Sequence, residues 1–245
     1  MNIITGETTE NMETTSLRTQ SDVKTKISKK VYIKIKRVID VILASVALIL
    51  LSPLFAIIAI AIKIDSKGPV FFAHKRIGKN GKIIKLYKFR SMVINAEELI
   101  KSFTPEQMRE YKENYKLTND PRITKIGNFL RKTSLDELPQ VINILKGEMT
   151  FVGTRPEVKK YVDKYTDEMM ATLLMPAGVT SIASIKYKDE DEILDKAVKA
   201  GKDTDVAYVE DVLLGKMKYN LEYLKQFSVL NDLKICIDTV IGVLK

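Results

Sequence analysis

A chain of 245 residues is long enough for one or two domains with a sizeable core. Its one cysteine, Cys236, and one histidine, His74, exclude a disulfide framework and a Cys/His zinc site, so any metal must be held by oxygen, which favours magnesium or calcium. Lys and Arg number 40 against 31 Asp and Glu, and the net charge of +9 draws the protein toward anionic lipid, phosphorylated substrates or nucleic acid.

Residues 1 to about 22 are polar, rich in Thr, Glu, Asn and Ser, and without apolar periodicity, which predicts a disordered tail running into a basic stretch (residues 1–30 in all). From Lys24 to Arg37 the chain is basic and carries no acid. Beside a membrane each such charge is worth ~1 kcal/mol against an anionic leaflet. The segment Val41–Ile62 then runs without a charge, interrupted by Ser45 and by Ser52-Pro53 at its middle. At ~1.5 Å per residue such a helix could cross a ~30 Å hydrocarbon core. Proline inside a helix removes a hydrogen bond and clashes with the preceding turn, and both flanks are basic, whereas a spanning helix keeps its Lys/Arg excess on one side. Two readings stand: a re-entrant helix-break-helix over 31–66, with the Ser52 hydroxyl satisfying a carbonyl freed by Pro53, or one straight span with a proline kink. A cleaved signal peptide fits poorly, because the basic region is far too long and the apolar region is broken by proline.

Beyond a turn at Asp65–Pro69, Val70–Arg76 and Ile83–Phe89 read as two strands around Gly78-Lys79-Asn80-Gly81, since Asn-Gly supplies the positive φ that hairpin turns need. Lys88 and Arg90, one residue apart, fall on the same side of a continued strand and could grip a phosphate pair; an ordinary charged strand face has the same pattern. Asn95–Lys101 reads as helix. Thr104-Pro105-Glu106-Gln107 opens another with a capping-box pattern and proline at its first position.

The chemistry is densest in Asp120-Pro121-Arg122-Ile123-Thr124 and in Arg131 through Gln140, which contains Ser134-Leu135-Asp136-Glu137. Ser134-x-x-Glu137 fits a capping box, Asp136 falls in the first helical turn, and Gly147 is a natural C′ residue. On that reading Glu137 caps, Asp136 complements the helix dipole, and neither reacts. The alternative is that adjacent carboxylates flank a hard divalent ion bridged to a pyrophosphate, or that one serves as a nucleophile, with Arg131 and Arg155 neutralising phosphate oxygens. Met149–Val152 reads as a strand ending at Gly153-Thr154-Arg155-Pro156, a rigid turn that aims the guanidinium. Pro176–Thr180 reads as a turn and Asp189–Glu192 as a solvated helix start. Residues 205–224 and 230–244 read as helices, the last with an apolar face suited to a core or a membrane surface.

Nine of these blocks, in order, resemble the bacterial sugar transferase family, the monotopic phosphoglycosyl transferases that start glycan assembly on a polyprenyl carrier. They are Lys36-Arg37-x-x-Asp40, Ser52-Pro53, Gly68-Pro69-Val70-Phe71-Phe72, Arg76-x-Gly78, Lys88-Phe89-Arg90-Ser91-Met92, Asp120–Thr124, Ser134–Gln140, Gly147-x-Met149 and Val152-Gly153-x-Arg155-Pro156. The resemblance implies an α+β, mainly helical fold: a re-entrant membrane helix broken at Ser52-Pro53, a small β-hairpin, and a helical catalytic domain over 67–245 with interfacial helices, on the cytoplasmic face of the bacterial inner membrane. It implies that Asp136 attacks the β-phosphate of a UDP-sugar, releases UMP and passes the phosphosugar to undecaprenyl phosphate. It further implies that Asp136 and Glu137 hold Mg²⁺, that Lys88, Arg90, Arg131 and Arg155 bind phosphate or nucleotide, and that the protein contacts phospholipid and needs no nucleic acid, with homo-oligomer formation left open. Thr154 stands where the family usually has proline, and Thr180-Ser181 where it has Thr-Gly, departures that bear on the uridine contacts and on sugar identity. A UDP-sugar hydrolase and a non-catalytic adaptor binding anionic lipid are the competing functional readings.

Overall fold

The computed structural model describes residues 30–114 and 117–244; the polar tail before Lys30 lies outside the described residues. Helix α1, Lys30–Asp65, is long and apolar enough to cross a membrane by length and composition. Two strands, β1 (Phe71–Ile77) and β2 (Ile83–Phe89), form an antiparallel hairpin with Phe71 opposite Phe89 and Ile77 opposite Ile83. After helices α2 (Pro105–Asn114), α3 (Lys125–Lys132) and α4 (Gln140–Lys146), strand β3 (Met149–Val152) pairs in parallel with β4 (Ala177–Thr180). Helices α5 (Ile182–Lys186), α6 (Glu190–Lys199), α7 (Leu214–Gln226) and α8 (Val229–Leu244) complete a mainly helical α+β fold.

Helix α1 is part of the core. A stripe of Lys36, Asp40, Ala44, Ile58 and Ile62 is buried, at the four-residue spacing of one helix face. Ala44 packs with Ile84 and Leu86 of β2, Val141 and Ile144 of α4, Met149 and Ala177. Ile58 and Ile62 pack with Phe89 and Leu130. The opposite face exposes Ile42, Val46, Ile49, Leu50, Ile57 and Ile60, an apolar surface far too continuous for water contact alone.

Polar contacts tie both ends of α1 to the same globular body. Near its start, Arg37 donates to the Ile144 carbonyl and, at 2.8 Å, to that of Leu145, covering the C-terminal carbonyls of α4. Asp40 accepts from Thr150 Oγ1 at 2.7 Å, and Lys36 pairs with Asp232, which also accepts from the Tyr223 hydroxyl. At the far end, Asp65 Oδ2 accepts from the Ile126 amide at 2.9 Å, beside Thr124, whose own hydroxyl caps the Gly127 amide of α3.

Three local expectations change. One helix runs on through Pro53 instead of two, and the expected Ser52 contact is made: Ser52 Oγ donates at 2.7 Å to the carbonyl of Ile49, the acceptor that Pro53 leaves without its amide. Pro176–Thr180 contains strand β4, not a turn alone. Gly178 makes this possible, since a Cβ there would overlap the Gly153 backbone and hold the two chains apart. The expected Ser134 cap is absent: Ser134 has φ 55°, makes no capping hydrogen bond, and starts a short 3₁₀ turn, Leu135–Glu137. The hairpin loop does use Asn80 and Gly81 at positive φ, the Thr104–Gln107 box bonds reciprocally at 3.0 and 3.2 Å, and Gly147 ends α4 at φ 81°.

Candidate active site

The 3₁₀ turn that carries Asp136 and Glu137 is pinned from both sides by Leu135 and Leu138, which pack on the Ile58–Ile62–Phe89–Leu130 cluster. The apolar pair holds the turn against the core, leaving the two acids between them to face three other segments. Lys88, next to fully buried Phe89 on β2, places Nζ 2.8 Å from Glu137 Oε1 and 3.4 Å from Asp136 Oδ2. Arg155 forms an ion pair with the same Glu137 oxygen and donates at 3.1 Å to the Val179 carbonyl. Its loop is stitched to β4 by Gly153 N to Thr180 O at 3.0 Å and Gly178 N to Thr154 O at 2.8 Å. The parallel β3–β4 pair therefore sets the guanidinium's position.

Arg131 comes from α3, with Nε donating to Ser91 Oγ at 2.8 Å, and its charge acts on Asp136. Gly127 allows this helix to sit on the Ser91 backbone, where a Cβ would overlap the Ser91 carbonyl. Of the expected phosphate ligands, Lys88, Arg131 and Arg155 are thus gathered around the acidic pair. Arg90 is not brought there. Strand β2 ends at Phe89, so the expected alternation stops, and Arg90 turns into the α1–β1 connection, donating to Pro69 O at 2.6 Å, Ser66 Oγ at 2.8 Å and Ser66 O at 2.9 Å. It clamps the exit of α1.

The two carboxylates differ in environment. For Asp136, 8 % exposed, burial outweighs Lys88 and Arg131 and, with the neighbouring Glu137 charge, raises the pKa above the ordinary aspartate value. Burial acts on Glu137 in the same direction, but Arg155 and Lys88 together overcome it and lower the pKa to about 2. Glu137 is a fixed anion, whereas Asp136 is the more basic carboxylate of the pair. Among the described residues no group of three or more His, Cys, Asp and Glu gathers as a metal site. A hard cation would rest on this pair and on oxygens brought by a substrate, a donor set that suits magnesium, which commonly takes one or two carboxylates plus phosphates.

A cavity of about 590 Å³ adjoins Glu137 and Arg155. Ala47 and Leu51 of α1 form part of one wall, and Tyr187, Lys188 and Lys216 form part of another. Sequence reasoning missed several residues here. Arg76 reaches to 3.6 Å from Glu157 and feels the charges of Arg155 and Glu137. Asn143, fully buried, ties α4 to β2 through Tyr87 N at 3.0 Å and Lys85 O at 2.7 Å. Lys216 bonds Glu190 at 2.9 Å beneath the cavity wall. Only Arg76, within Arg76-x-Gly78, lay in a motif the sequence had singled out.

Residues 31–245 match the sequence model of the family described as "Bacterial sugar transferase". The chain belongs to the bacterial sugar transferase family. This family member is 36% identical over 208 residues to the "Exopolysaccharide production protein ExoY" of Rhizobium meliloti (strain 1021), covering 84% of this chain and 83% of that protein. It is 37% identical over 210 residues to the "UDP-glucose:undecaprenyl-phosphate glucose-1-phosphate transferase" of Escherichia coli (strain K12), covering 84% of this chain and 39% of the relative. To the "Undecaprenyl-phosphate galactose phosphotransferase" of Salmonella typhimurium it is 40% identical over 159 residues, 64% of this chain and 33% of the relative. The chain thus spans most of the first relative's length and about a third of the other two.

Proposed function

We propose that this family member transfers a sugar-1-phosphate from a UDP-sugar to undecaprenyl phosphate at a membrane surface, through a phosphosugar bound covalently to Asp136. The observation that carries this reading is the pairing of unlike carboxylates, bracketed by Lys88 and Arg155, beside a cavity whose wall includes the apolar helix α1. A soluble diphosphate donor needs cations, a polyprenyl acceptor needs an apolar approach, and both meet here. The names of the relatives from Escherichia coli and Salmonella point to the same acceptor.

In the first step an Asp136 carboxylate oxygen attacks the β-phosphorus of the donor. The bond from that phosphorus to the oxygen bridging the two phosphates breaks, and UMP leaves with the electron pair. Arg155, Lys88 and Arg131 balance the charge on the phosphoryl oxygens. In the second step a phosphate oxygen of the lipid attacks the same phosphorus, the Asp136–phosphorus bond breaks, and the carboxylate is regenerated. Asp136 and Glu137 would hold Mg²⁺, which would supply Lewis-acid stabilisation of the leaving oxygen. Glu137, kept ionised by its two cations, fixes Lys88 and Arg155 in place throughout.

The ties at both ends of α1 to one globular body support a monotopic placement with both ends on one face, which we take as the cytoplasmic one: a crossing helix would put those ties on opposite sides of a bilayer. The exposed apolar residues Leu230, Leu233, Ile237 and Val240 of α8 would lie at the same interface.

The test uses the full chain in membranes or lipid nanodiscs with undecaprenyl phosphate and a panel of UDP-sugars, measuring UMP. Lipid-dependent UMP release, with a phosphosugar adduct at Asp136 when donor is given alone, is expected. Equal release without the lipid would mean hydrolysis, and the absence of any adduct at Asp136 would overturn the covalent mechanism.

A further inference from the structure

Arg37, Arg90, Arg122, Arg131 and Arg155 each hydrogen-bond a carbonyl, a hydroxyl or a carboxylate. Half-buried Arg76 does not. Its Nε is shut inside without a partner, and the acid beside it, Glu157, lies 3.6 Å from Nη1, beyond hydrogen-bonding distance. Glu157 is engaged elsewhere: the Tyr208 hydroxyl donates to it at 2.7 Å, and Lys216 Nζ lies 3.8 Å away. Burial lowers the Arg76 pKa by more than Glu157 restores, and the neighbouring Arg155 charge adds to the fall. The guanidinium is a cation short of negative charge, and its Nη1 and Nη2, unlike Nε, keep access to solvent.

Its place on the hairpin narrows what would supply that charge. Phe72 stands opposite Lys88 in the β1–β2 register, so Phe72, His74 and Arg76 share the face that bears Lys88. His74 feels the charges of both Arg76 and Lys88, and Arg76 feels those of Arg155 and Glu137. Lys88 marks the end of this face beside Asp136, and Arg76 stands four strand residues, about 13 Å of backbone, farther along.

We propose that Arg76 is a substrate-binding residue whose Nη1 and Nη2 take phosphate oxygens of the departing nucleotide, first as the α-phosphate of the UDP-sugar and then as UMP. This rests on the phosphosugar-transfer reading above and extends it from the reacting phosphorus to the leaving group. A phosphate supplies what Arg76 lacks, negative charge together with acceptors, whereas a sugar hydroxyl brings no charge. Lys88 and Arg155, the cations at the reacting phosphorus, are already paired with Glu137. The lipid carries a phosphate too, but that group attacks the phosphorus beside Asp136, at the Lys88 end of the face.

The test compares Arg76→Met with the double variant Arg76→Met/Glu157→Gln in the full membrane-bound chain. The double variant removes cation and acid together, so no uncompensated charge is left buried on Glu157. UMP binding is measured directly by calorimetry, and transfer kinetics are measured beside it. The Kd for UMP should rise about 10-fold or more in both variants, as for one charge-assisted contact, while the KM for undecaprenyl phosphate stays within about twofold. Recovery of UMP affinity in the double variant would mean that Arg76 serves only to neutralise Glu157. Unchanged UMP affinity with a raised KM for undecaprenyl phosphate would move the contact to the lipid phosphate. A lowered thermal midpoint with unchanged binding and kinetics would make Arg76 structural. Each of those three results overturns the assignment while the transfer reaction stands, whereas a wild type that neither binds UMP nor releases it from any UDP-sugar overturns both.

Discussion

Asp136 and Glu137 share one lysine, yet their pKa values are shifted in opposite directions. Glu137 has its pKa lowered from an ordinary 4.5 to about 2, so the stability it contributes is complete above about pH 4.5 and is lost as pH falls toward 2. Asp136 has the opposite sign: its raised pKa means that its charge opposes folding at neutral pH, and protonation relieves that cost. Asp136→Asn should therefore abolish transfer, by about 1,000-fold or more, while the thermal midpoint holds or rises. A midpoint that drops would show the charge to be structural. Lys88→Met should lower transfer about 100-fold, as expected for one lost electrostatic partner. It should also move the acid limb of the pH–rate profile to higher pH, because Lys88 is what keeps Asp136 from rising further. Single-turnover adduct formation measured across pH separates these effects from lipid binding.

At the scale of elements, α3 delivers Arg131 only because glycine stands at its first turn. Gly127→Ala would drive a Cβ into the Ser91 carbonyl, and the resulting shift should cost about 1–3 kcal/mol and break the Ser91–Arg131 hydrogen bond, lowering both the thermal midpoint and the rate. Asp65→Ala removes a cap from the same helix and should cost about 1 kcal/mol in a denaturation series. What was legible in the sequence at this scale was local. The Asn80-Gly81 loop, the Thr104–Gln107 box and the Gly147 stop each depend on neighbours within a few residues, and each formed as read. What escaped depends on distant partners. Strand β4 exists because Gly178 meets Gly153 across the fold, and Arg90 lies away from the acidic pair because Ser66, just after α1, takes its guanidinium. Glu137 makes no cap and instead pairs with Lys88 from β2 and Arg155 from the loop after β3. The adjacency of Asp136 and Glu137 is plain in the sequence, but their unlike environments come only from those distant cations.

At the scale of the whole molecule, the placement proposed for α1 sets which face of the protein would meet the membrane. Single cysteines introduced at exposed Lys34 and Lys63, in a Cys236→Ser background, should both react from the cytoplasmic side with a membrane-impermeant maleimide. Reaction of the two from opposite sides would restore a straight crossing. Ser52→Ala, which leaves the Ile49 carbonyl without a donor, should cost about 1 kcal/mol in the membrane-bound protein and be nearly silent if that carbonyl meets water.

The inner stripe of α1 also bears on how a detergent-free form of the protein could be made. Trimming the chain back to residue 67 would remove Ala44, Ile58 and Ile62 from two interior clusters together with the Asp40 and Asp65 tethers, and the remainder should precipitate instead of dissolving. Repainting is the workable route: polar side chains at Ile42, Val46, Ile49, Leu50, Ile57 and Ile60 would convert the greasy side of the rod into a wettable one while its other side went on serving as scaffold.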